Sequence, residues 1–185
     1  VHGNELWTTD GTPEGTVMVA DINPGAGGSD PTGLTCFLGR LVFSANDGAH
    51  GQEPWITDGT QAGAQLLCDV APGKTGGGCT SVTRVGTQFF FLADDGVHGE
   101  ELWASDGTSA RTAMVRDINP GQWSSECGEF CNADGRLLFY ADDGTHGSEP
   151  WVSDGTEAGT KLLKDIRAGS DDSSYPGSFF QVANR

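Results

Sequence analysis

The chain has little positive charge. Its 185 residues include 10 Lys and Arg against 26 Asp and Glu, which gives a formal net charge of -16. A surface that binds a phosphate backbone needs an excess of Lys and Arg. The sequence therefore argues against nucleic acid as a partner. An acidic surface instead suits solubility, divalent cations or a basic partner.

Long apolar runs are also missing. No segment approaches the ~18 residues that span a bilayer, and no basic-then-apolar signal segment opens the chain. The chain begins at Val1 without an initiator Met, which predicts a mature product or an excerpt. We therefore predict no membrane insertion, and the missing signal segment does not argue against secretion.

No Cys-x-x-Cys pair occurs, so neither a zinc knuckle nor a thioredoxin-like redox motif is supported. Five cysteines are many for this length, and disulfides in an oxidising compartment explain them better. Proximity in sequence favours the pairs Cys127–Cys131 and Cys68–Cys79. Cys36 is then unpaired or joined to another chain.

One strong internal repeat organises what the chain does contain. The motif Glu-(Leu/Pro)-Trp-x-x-Asp-Gly-Thr occurs four times with its Trp every 48 residues, at Trp7, Trp55, Trp103 and Trp151. A fixed period of this kind indicates a repeat architecture. It predicts a single repeat domain over residues 1–185. The predicted repeat units are 1–48, 49–96, 97–144 and 145–185.

Each unit contains four apolar stretches of strand length. In the third copy they are residues 88–93, 101–105 and 112–116, followed by a weak stretch near 128–131. Asp-Gly pairs between the stretches favour tight hairpins. No helical periodicity is present. Each unit is therefore predicted to be a four-stranded antiparallel meander.

Four short strands in a repeat of ~40–50 residues are typical of a propeller blade. The predicted fold is all-β, a β-propeller-like array of four four-stranded units, with a β-solenoid as the alternative. The apolar strand seen at Leu41–Ala45 and Leu137–Ala141 occurs only three times, so the last unit is predicted to lack one strand. Such a gap predicts an excerpt of a longer array or strand donation by another chain. Pro54 and Pro150 are predicted at the first residue of a strand or at a bulge.

At this point the sequence resembles a known family. The repeated motif, together with the Ala-Asp-Asp-Gly-x-His-Gly runs at 93–99 and 141–147, is similar to the ELWxxDGT repeat family of extracellular proteins. The resemblance covers the whole chain. It implies a propeller-like array at or beyond the cell surface, and it implies no settled biochemical activity.

Histidine and glutamate recur at fixed places in every unit. The residues are His2, His50, His98 and His146, and Glu5, Glu53, Glu101 and Glu149. A catalytic centre needs unlike groups that converge on one point, whereas these groups repeat. We therefore predict that the protein is not an enzyme, and that each His holds the hairpin after Asp-Gly by hydrogen bonds.

Acidic hairpins followed by a glutamate are the best candidates for metal binding. Calcium takes six to eight oxygen ligands, which carboxylates and turn carbonyls supply. The candidate ligands are Asn46, Asp47, Glu53, Asp94, Asp95, Glu101, Asp142, Asp143 and Glu149. The spacing of a calcium loop is missing, and Asp in turns commonly bonds its own backbone. Calcium and a purely structural turn therefore both stay open.

Two aromatic residues lie in the variable loops. Trp123 and Tyr175 are candidates for contact with a sugar or a protein, against ordinary loop packing. The predicted function is a noncatalytic, secreted or cell-surface module with a structural or adhesive role, including assembly into extracellular filaments. The expected partners are protein, through self-assembly, or extracellular glycan. A lectin-like propeller and a calcium-stabilised protein-interaction module are the alternatives.

Overall fold

The computed structural model describes residues 2–73, 75–168 and 173–180. These residues form strands, two one-turn 3₁₀ helices (Gln61–Gly63 and Ser109–Arg111) and loops. The strands are β1 (Leu6–Thr8), β2 (Val17–Ala20), β3 (Thr32–Phe37), β4 (Arg40–Asn46), β5 (Gln52–Thr57), β6 (Gln65–Leu66), β7 (Thr80–Val85), β8 (Gln88–Asp94), β9 (Glu100–Ser105), β10 (Ala113–Arg116), β11 (Gly128–Ala133), β12 (Arg136–Asp142), β13 (Ser148–Ser153) and β14 (Lys161–Leu162). No helix in these ranges is long and apolar enough to cross a membrane.

The strands form antiparallel sheets in chain order, which confirms the all-β, multi-sheet prediction. Sheet 1 contains β1 and β2, sheet 2 contains β3 to β6, sheet 3 contains β7 to β10, and sheet 4 contains β11 to β14. Within the described residues, three sheets therefore have four strands and one has two. Residues 181–185, at the end of the last predicted unit, lie outside the described residues.

The weak stretch near 128–131 was predicted to be the fourth strand of the third unit, and its predicted strand partner was wrong. This stretch is β11, which pairs with β12 and opens sheet 4, whereas sheet 3 ends at β10. The connecting turn explains the pairing, because Asp134 and Gly135 both have positive φ, 48° and 78°. Two such residues make the tight turn that suits a hairpin. Each four-stranded sheet therefore begins with the weak strand, and the sheets are out of step with the predicted units.

Two compact units divide the chain, Val1–Thr80 and Ser81–Arg185. Sheet 1 packs on sheet 2 in the first unit, and sheet 3 packs on sheet 4 in the second. The two cores use residues 96 positions apart: Leu6 and Leu102, Val19 and Val115, Ile22 and Ile118, Leu41 and Leu137, Phe43 and Phe139, Ala45 and Ala141, and Trp55 and Trp151. The sequence repeat is thus also a repeat of sheet-on-sheet packing.

The longest aromatic run lies in β8. Phe89 and Phe91 share one face of the strand, with ring centroids 5.7 Å apart, and Phe90 lies on the other face. All three side chains are fully buried. A continuous apolar run of this kind is expected where both faces of a strand are covered.

Pro54 and Pro150 are interior residues of their strands, so the predicted positions at a strand start or bulge were wrong. Pro54 is the third residue of β5, and its carbonyl accepts a hydrogen bond from Leu67 N at 2.8 Å. The missing proline N–H therefore faces the outer strand β6. The outer strand has two residues in the two repeats with Pro and four in the two repeats with Leu. Proline shortens the outer ladder because it removes one donor.

Phe139→Ala tests the repeated core. The Phe139 ring is fully buried and meets Phe130 edge-on at 5.9 Å. We expect the substitution to lower the free energy of unfolding by about 3–5 kcal/mol, because a large buried ring is lost. Urea titration followed by tryptophan fluorescence measures the loss. The exposed Phe180 gives a matched control, and Phe180→Ala should change the value by less than about 0.5 kcal/mol. Equal losses would contradict the packing described.

Candidate functional site

The repeated glutamate is a buried hydrogen-bond acceptor for backbone. Glu53, on β5, is fully buried and accepts N–H bonds from Val70 at 2.9 Å, Ala71 at 3.2 Å and Gly77 at 2.9 Å. The other glutamates accept bonds at almost the same offsets: Glu5 from Ile22 and Ser29, Glu101 from Ile118 and Asn119, and Glu149 from Ile166, Arg167 and Ser174. Each carboxylate thus fastens the loop after the outer strand to the strand that carries the Trp.

These hydrogen bonds satisfy both the buried N–H groups of the loop and the buried glutamate side chain. Loop N–H groups that are buried without partners destabilise the fold, and a buried carboxylate needs hydrogen-bond donors. Burial raises the pKa of Glu101 to about 7, in spite of the donors, and raises the pKa of Glu53 as well. At Glu149, where burial alone acts to raise the pKa, bonds from Ser174, Ile166 and Arg167 lower it overall.

A second repeated network lies in the hairpin before the glutamate. Asp47 Oδ1 accepts the N–H bonds of Ala49 and His50 at 2.9 Å, and Asp47 Oδ2 lies 2.7 Å from His50 Nδ1. The same Asp–His contact measures 2.7 Å at Asp95–His98 and 2.8 Å at Asp143–His146. The prediction that His holds the hairpin by hydrogen bonds agrees with this geometry at these three positions.

The networks shift the pKa of both partners. The bond to Asp47 raises the pKa of His50, and corresponding bonds raise the pKa of His98 and His146. Partial burial opposes the bonds at the three aspartates, but hydrogen bonds from the His and its backbone lower their pKa overall. The His contribution to stability is fully present below the unfolded pKa and is lost as pH rises through the raised one. The Asp contribution is lost as pH falls.

Sequence reasoning missed a third repeated carboxylate. His2 bonds Asp21 at 2.9 Å, and the residues equivalent to Asp21 add to the electrostatic rise in the pKa of the other three histidines. The four half-buried residues are Asp21, Asp69, Asp117 and Asp165. In each, Oδ1 is buried without a hydrogen-bond partner among the described residues. Their recurrence every 48 residues was the signal that could have revealed them.

The predicted calcium ligands are held by their own loops. Asn46 Oδ1 accepts the Gly48 N–H at 2.7 Å, and Asp94 and Asp142 bind their loops in the same way. The following Asp binds His, and the Glu binds the next loop. Among residues 2–73, 75–168 and 173–180, no three His, Cys, Asp or Glu side chains form a group suited to a metal ion. Calcium therefore stays a hypothesis of the sequence.

All five cysteines are free thiols in the structure, and neither predicted disulfide is formed. Cys131 lies within β11, and Cys127 lies just before it. The two thiols contact different groups, since Cys127 Sγ lies 3.1 Å from Ser125 Oγ and Cys131 Sγ donates to a carbonyl of its own strand. Burial raises the pKa of Cys79 to about 12 and also raises that of Cys127. Cys36 is exposed.

The strand ends form two rims in the second unit. Trp123 follows β10 at the rim with the Asp–His hairpins and is 67% exposed, while Tyr175 is 73% exposed. The opposite rim holds the Asp-Gly-Thr turns and a cleft of about 590 Å³, lined by Gln88, Asp106 and Arg111 among others. The two exposed aromatic rings therefore do not line this polar cleft.

The Asp-Gly-Thr turns close on themselves. Asp10 Oδ1 accepts bonds from both the backbone N–H and the hydroxyl of Thr12, at 2.9 and 2.7 Å. Asp58, Asp106 and Asp154 repeat this contact with the Thr two positions on. These hydrogen bonds lower the pKa of all four aspartates. The side chains of these four aspartates thus hold the turns in which they lie.

Comparison with known proteins adds little. No family model and no curated protein matches the chain. Two of the solved structures that resemble it are computationally designed proteins. Ika8, in its P63 crystal packing, aligns at 19% identity and a TM-score of 0.42 over 82% of this chain and 41% of its own, so this chain spans less than half of Ika8. Ika4 aligns at 22% identity and a TM-score of 0.42 over 90% of this chain and 81% of its own. Likeness at this level supports no conclusion about function.

Glu101→Gln tests the buried acceptor. At pH 5 Glu101 is mainly protonated, and its two oxygens face the N–H groups of Ile118 and Asn119. The amide places an NH2 donor against one of these N–H groups, so at that pH we expect a loss of about 1–3 kcal/mol in the free energy of unfolding. The loss should shrink towards pH 8, because the Glu101 pKa of about 7 lies above its unfolded value of 4.5. Ionisation therefore destabilises the native protein as pH rises, and the amide does not titrate. Exposed Glu14 is the control: a Glu14→Gln effect of equal size would contradict the role assigned to Glu101.

Asp95→Asn tests the Asp–His network. The pKa of His98 is raised mainly by its hydrogen bond to Asp95, so the amide should lower that pKa towards the usual value of about 6.5. Titration of the imidazole protons by NMR measures the change. His146, bonded to Asp143 at 2.8 Å, is an internal control and should keep its raised pKa. An unchanged His98 titration would mean that Asp95 does not set its charge.

Proposed function

We propose that the protein is a noncatalytic repeat module with a structural or adhesive role, secreted or displayed at the cell surface. The observation that carries the proposal is the repeated use of the reactive side chains. Glu53, Glu101 and Glu149 each accept bonds from their own loop. The Asp–His pair before each of them holds its own hairpin. Groups that recur identically and bind their own backbone act as parts of the scaffold. Catalysis needs unlike groups at one place.

We further propose that the sheets are the blades of a β-propeller. Each described four-stranded sheet is an antiparallel meander, and one sheet packs on the next with equivalent residues in both units. The apolar run of β8 is buried on both of its faces, which is typical of a strand in a multi-sheet all-β structure. These features favour blades over the corners of a β-solenoid.

The extracellular part of the proposal rests on the resemblance to the ELWxxDGT repeat family. Four motif copies at a constant spacing carry that resemblance along the whole chain. The acidic surface, at a net charge of -16, is consistent with a solubilised scaffold whose partners are proteins. Self-assembly through surfaces outside the repeated networks is the role that we propose for it, with filaments as the product.

A glycan-binding role is the second candidate. It is favoured by one observation, the two strongly exposed rings of Trp123 and Tyr175. Aromatic rings with a free face suit contact with a sugar. The rings occupy single positions in the loops, whereas a lectin with one pocket per blade needs them to recur. The structural role is therefore the better supported of the two.

Protease treatment of intact producing cells tests the proposed location. We expect external protease to remove the protein while a cytosolic marker in the same cells stays intact. Sedimentation of the purified chain at micromolar concentration then tests assembly, and we expect oligomers larger than a dimer. A chain that resists external protease in intact cells and is absent from the medium would overturn the proposed function.

Glycan arrays distinguish the glycan-binding role from the structural role. Wild type and the Trp123→Ala/Tyr175→Ala double variant are compared on the same array. Specific binding that the double variant loses would replace the structural proposal with the lectin-like one. No glycan signal for either protein is the outcome that we expect.

A further inference from the structure

The loop after β10 holds the ring of Trp123 in solvent on a fixed backbone. Ser124 Oγ accepts a hydrogen bond from Glu100 N at 3.0 Å, and Ser125 N donates to Glu100 O at 3.1 Å. Asn119 Nδ2 donates to Ser124 O at 3.1 Å. The Trp123 side chain itself is 67% exposed. An aromatic side chain on a fixed backbone loses little conformational entropy when it binds a partner.

Trp123 is a departure from the repeat. The equivalent residue in the first repeat is Gly27, which lies against Gly3 as Trp123 lies against Gly99. The two loops therefore follow the same backbone path, one with the ring and one without it. The fold of the loop does not depend on this ring.

A second apolar side chain is exposed beside the loop. Val97 lies in the hairpin between β8 and β9 and is 64% exposed. Gly99, two residues further on, is the point at which this hairpin meets the backbone of Trp123. Single exposed apolar residues are ordinary, whereas a contiguous group of them marks a surface that binds another molecule.

Two carboxylates face each other at the base of the same hairpin. Asp94 on β8 is directly opposite Glu100 on β9. The equivalent pairs in the other two complete sheets contain at most one charge: Asn46–Gln52 and Asp142–Ser148. Like charges directly opposite each other destabilise a pair of strands. The third repeat is therefore the only one of these three that carries such a repulsion.

Glu100 has no internal partner for its charge. Its carboxylate is half-buried, and no donor in the described part of the chain bonds it. Burial raises the pKa of Glu100, and the charge of Asp94 raises it further. The equivalent Gln52 is satisfied on both sides, because it accepts a bond from Ser44 Oγ and donates to Asp30 O, at 3.1 Å each. A cationic group at this place would balance the two carboxylates.

The surroundings are uniformly acidic. Residues 94–101 and 117–129 form the hairpin, the start of β9, the loop and the start of β11, and they contain seven Asp and Glu and no Lys or Arg. A surface of one charge attracts a partner of the other and fixes its orientation. Charge complementarity at this rim therefore favours a basic partner.

The chemistry selects a cation carried by a separate protein. A divalent metal ion takes six or more oxygen ligands, and no group of His, Cys, Asp and Glu in the described ranges suits one. A second copy of the chain is a poor source, because two molecules with a net charge of -16 repel each other. No two of its ten Lys and Arg are adjacent in sequence. A basic segment of another protein is the occupant that fits.

We propose that Trp123, Val97, Asp94 and Glu100 form a patch that binds a basic segment of a partner protein. An Arg or Lys side chain of the segment lies across the Trp123 ring, since guanidinium and ammonium groups bind the face of Trp. Its charged end reaches Asp94 and Glu100, and its aliphatic stem contacts Val97. The inference deepens the proposed adhesive role and rests on it in taking a protein as the partner.

The test uses a labelled peptide, Gly-Ser-Arg-Gly-Arg-Gly-Ser, and the full 185-residue chain. Fluorescence anisotropy measures binding at physiological salt. A matched peptide carries citrulline in place of both arginines, which keeps the shape of the side chain and removes its charge. We expect the arginine peptide to bind and the citrulline peptide to bind at least about tenfold more weakly.

Glu100→Gln gives the third repeat the amide of the second. We expect the arginine peptide to bind this variant about tenfold more weakly, because a charge-assisted bond is lost. The melting temperature of the free variant should not fall, because an unpaired carboxylate has been removed. A purely structural role of Glu100 predicts the reverse, a lower melting temperature with binding unchanged. Glu14→Gln, at an exposed site in the first unit, makes the same change in net charge and should leave binding unchanged.

Trp123→Ala tests the ring. We expect it to weaken binding by about tenfold, because the cation loses the face on which it lies. Trp7→Ala is the matched control, since Trp7 is 57% exposed in the first unit. It should leave binding unchanged.

Equal binding of the two peptides would overturn the inference, because the charge of the segment would then not matter. Equal effects of Glu100→Gln and Glu14→Gln, or of Trp123→Ala and Trp7→Ala, would show attraction to the acidic protein as a whole and would also overturn it. Self-association without peptide that Trp123→Ala abolishes would make the occupant a second copy, which contradicts the proposal.

The result separates this inference from the proposed function. Absence of peptide binding, in a protein that external protease removes from intact cells, rejects the inference and leaves the proposed function intact. Specific peptide binding, by a protein that resists external protease and is absent from the medium, rejects the proposed function alone.

Discussion

The buried glutamate is the interaction on which the repeat depends. A carboxylate removed from water destabilises a fold by several kcal/mol unless donors surround it, and here the donors are backbone N–H groups of one loop. Val70, Ala71 and Gly77 direct their N–H groups at Glu53. No described residue between β6 and β7 belongs to a strand, so these bonds take the place of the hydrogen bonds between paired strands. The chain can then pass from one sheet to the next without leaving buried backbone unpaired.

The loop after each outer strand also lies close to the preceding hairpin, and this explains the glycine in the hairpin. Gly99 has a φ of 71°, and a Cβ built on it would lie 2.7 Å from backbone atoms of Trp123 and Ser124. A side chain there is excluded both by conformation and by space. The His, the Gly and the Glu of each repeat are thus parts of one junction. The loop backbone at Trp123 and Ser124 lies against Gly99, and Glu101 accepts a hydrogen bond from Ile118 N earlier in the same loop.

The strands could be predicted from the sequence, but their grouping into sheets could not. The period of 48 residues and the Asp-Gly turns predicted β4, β8 and β12, because apolar alternation and turn chemistry are local properties. The grouping of β11 with β12 depends on the positive φ of Asp134, and the weak apolar pattern of β11 gave no sign of it. The burial of Glu53 and the donors that surround it depend on the loop path, which no local pattern encodes. The third carboxylate, such as Asp69, was visible as a repeat but had no recognisable turn chemistry.

Because every repeat uses its reactive side chains in the same junction, variation between repeats is confined to other places. The outer strand is one such place: Pro54 removes a donor and leaves a two-residue β6, whereas Leu102 allows a four-residue β10. The loops that carry Trp123 and Tyr175 are a second, since the buried Glu is held by backbone N–H groups and by a Ser hydroxyl such as Ser174 Oγ, which leaves the other side chains of the loop to vary. The scaffold and the variable surface are thereby separated physically. Changes in the loops alter what the molecule contacts without loss of the bonds that hold its sheets together.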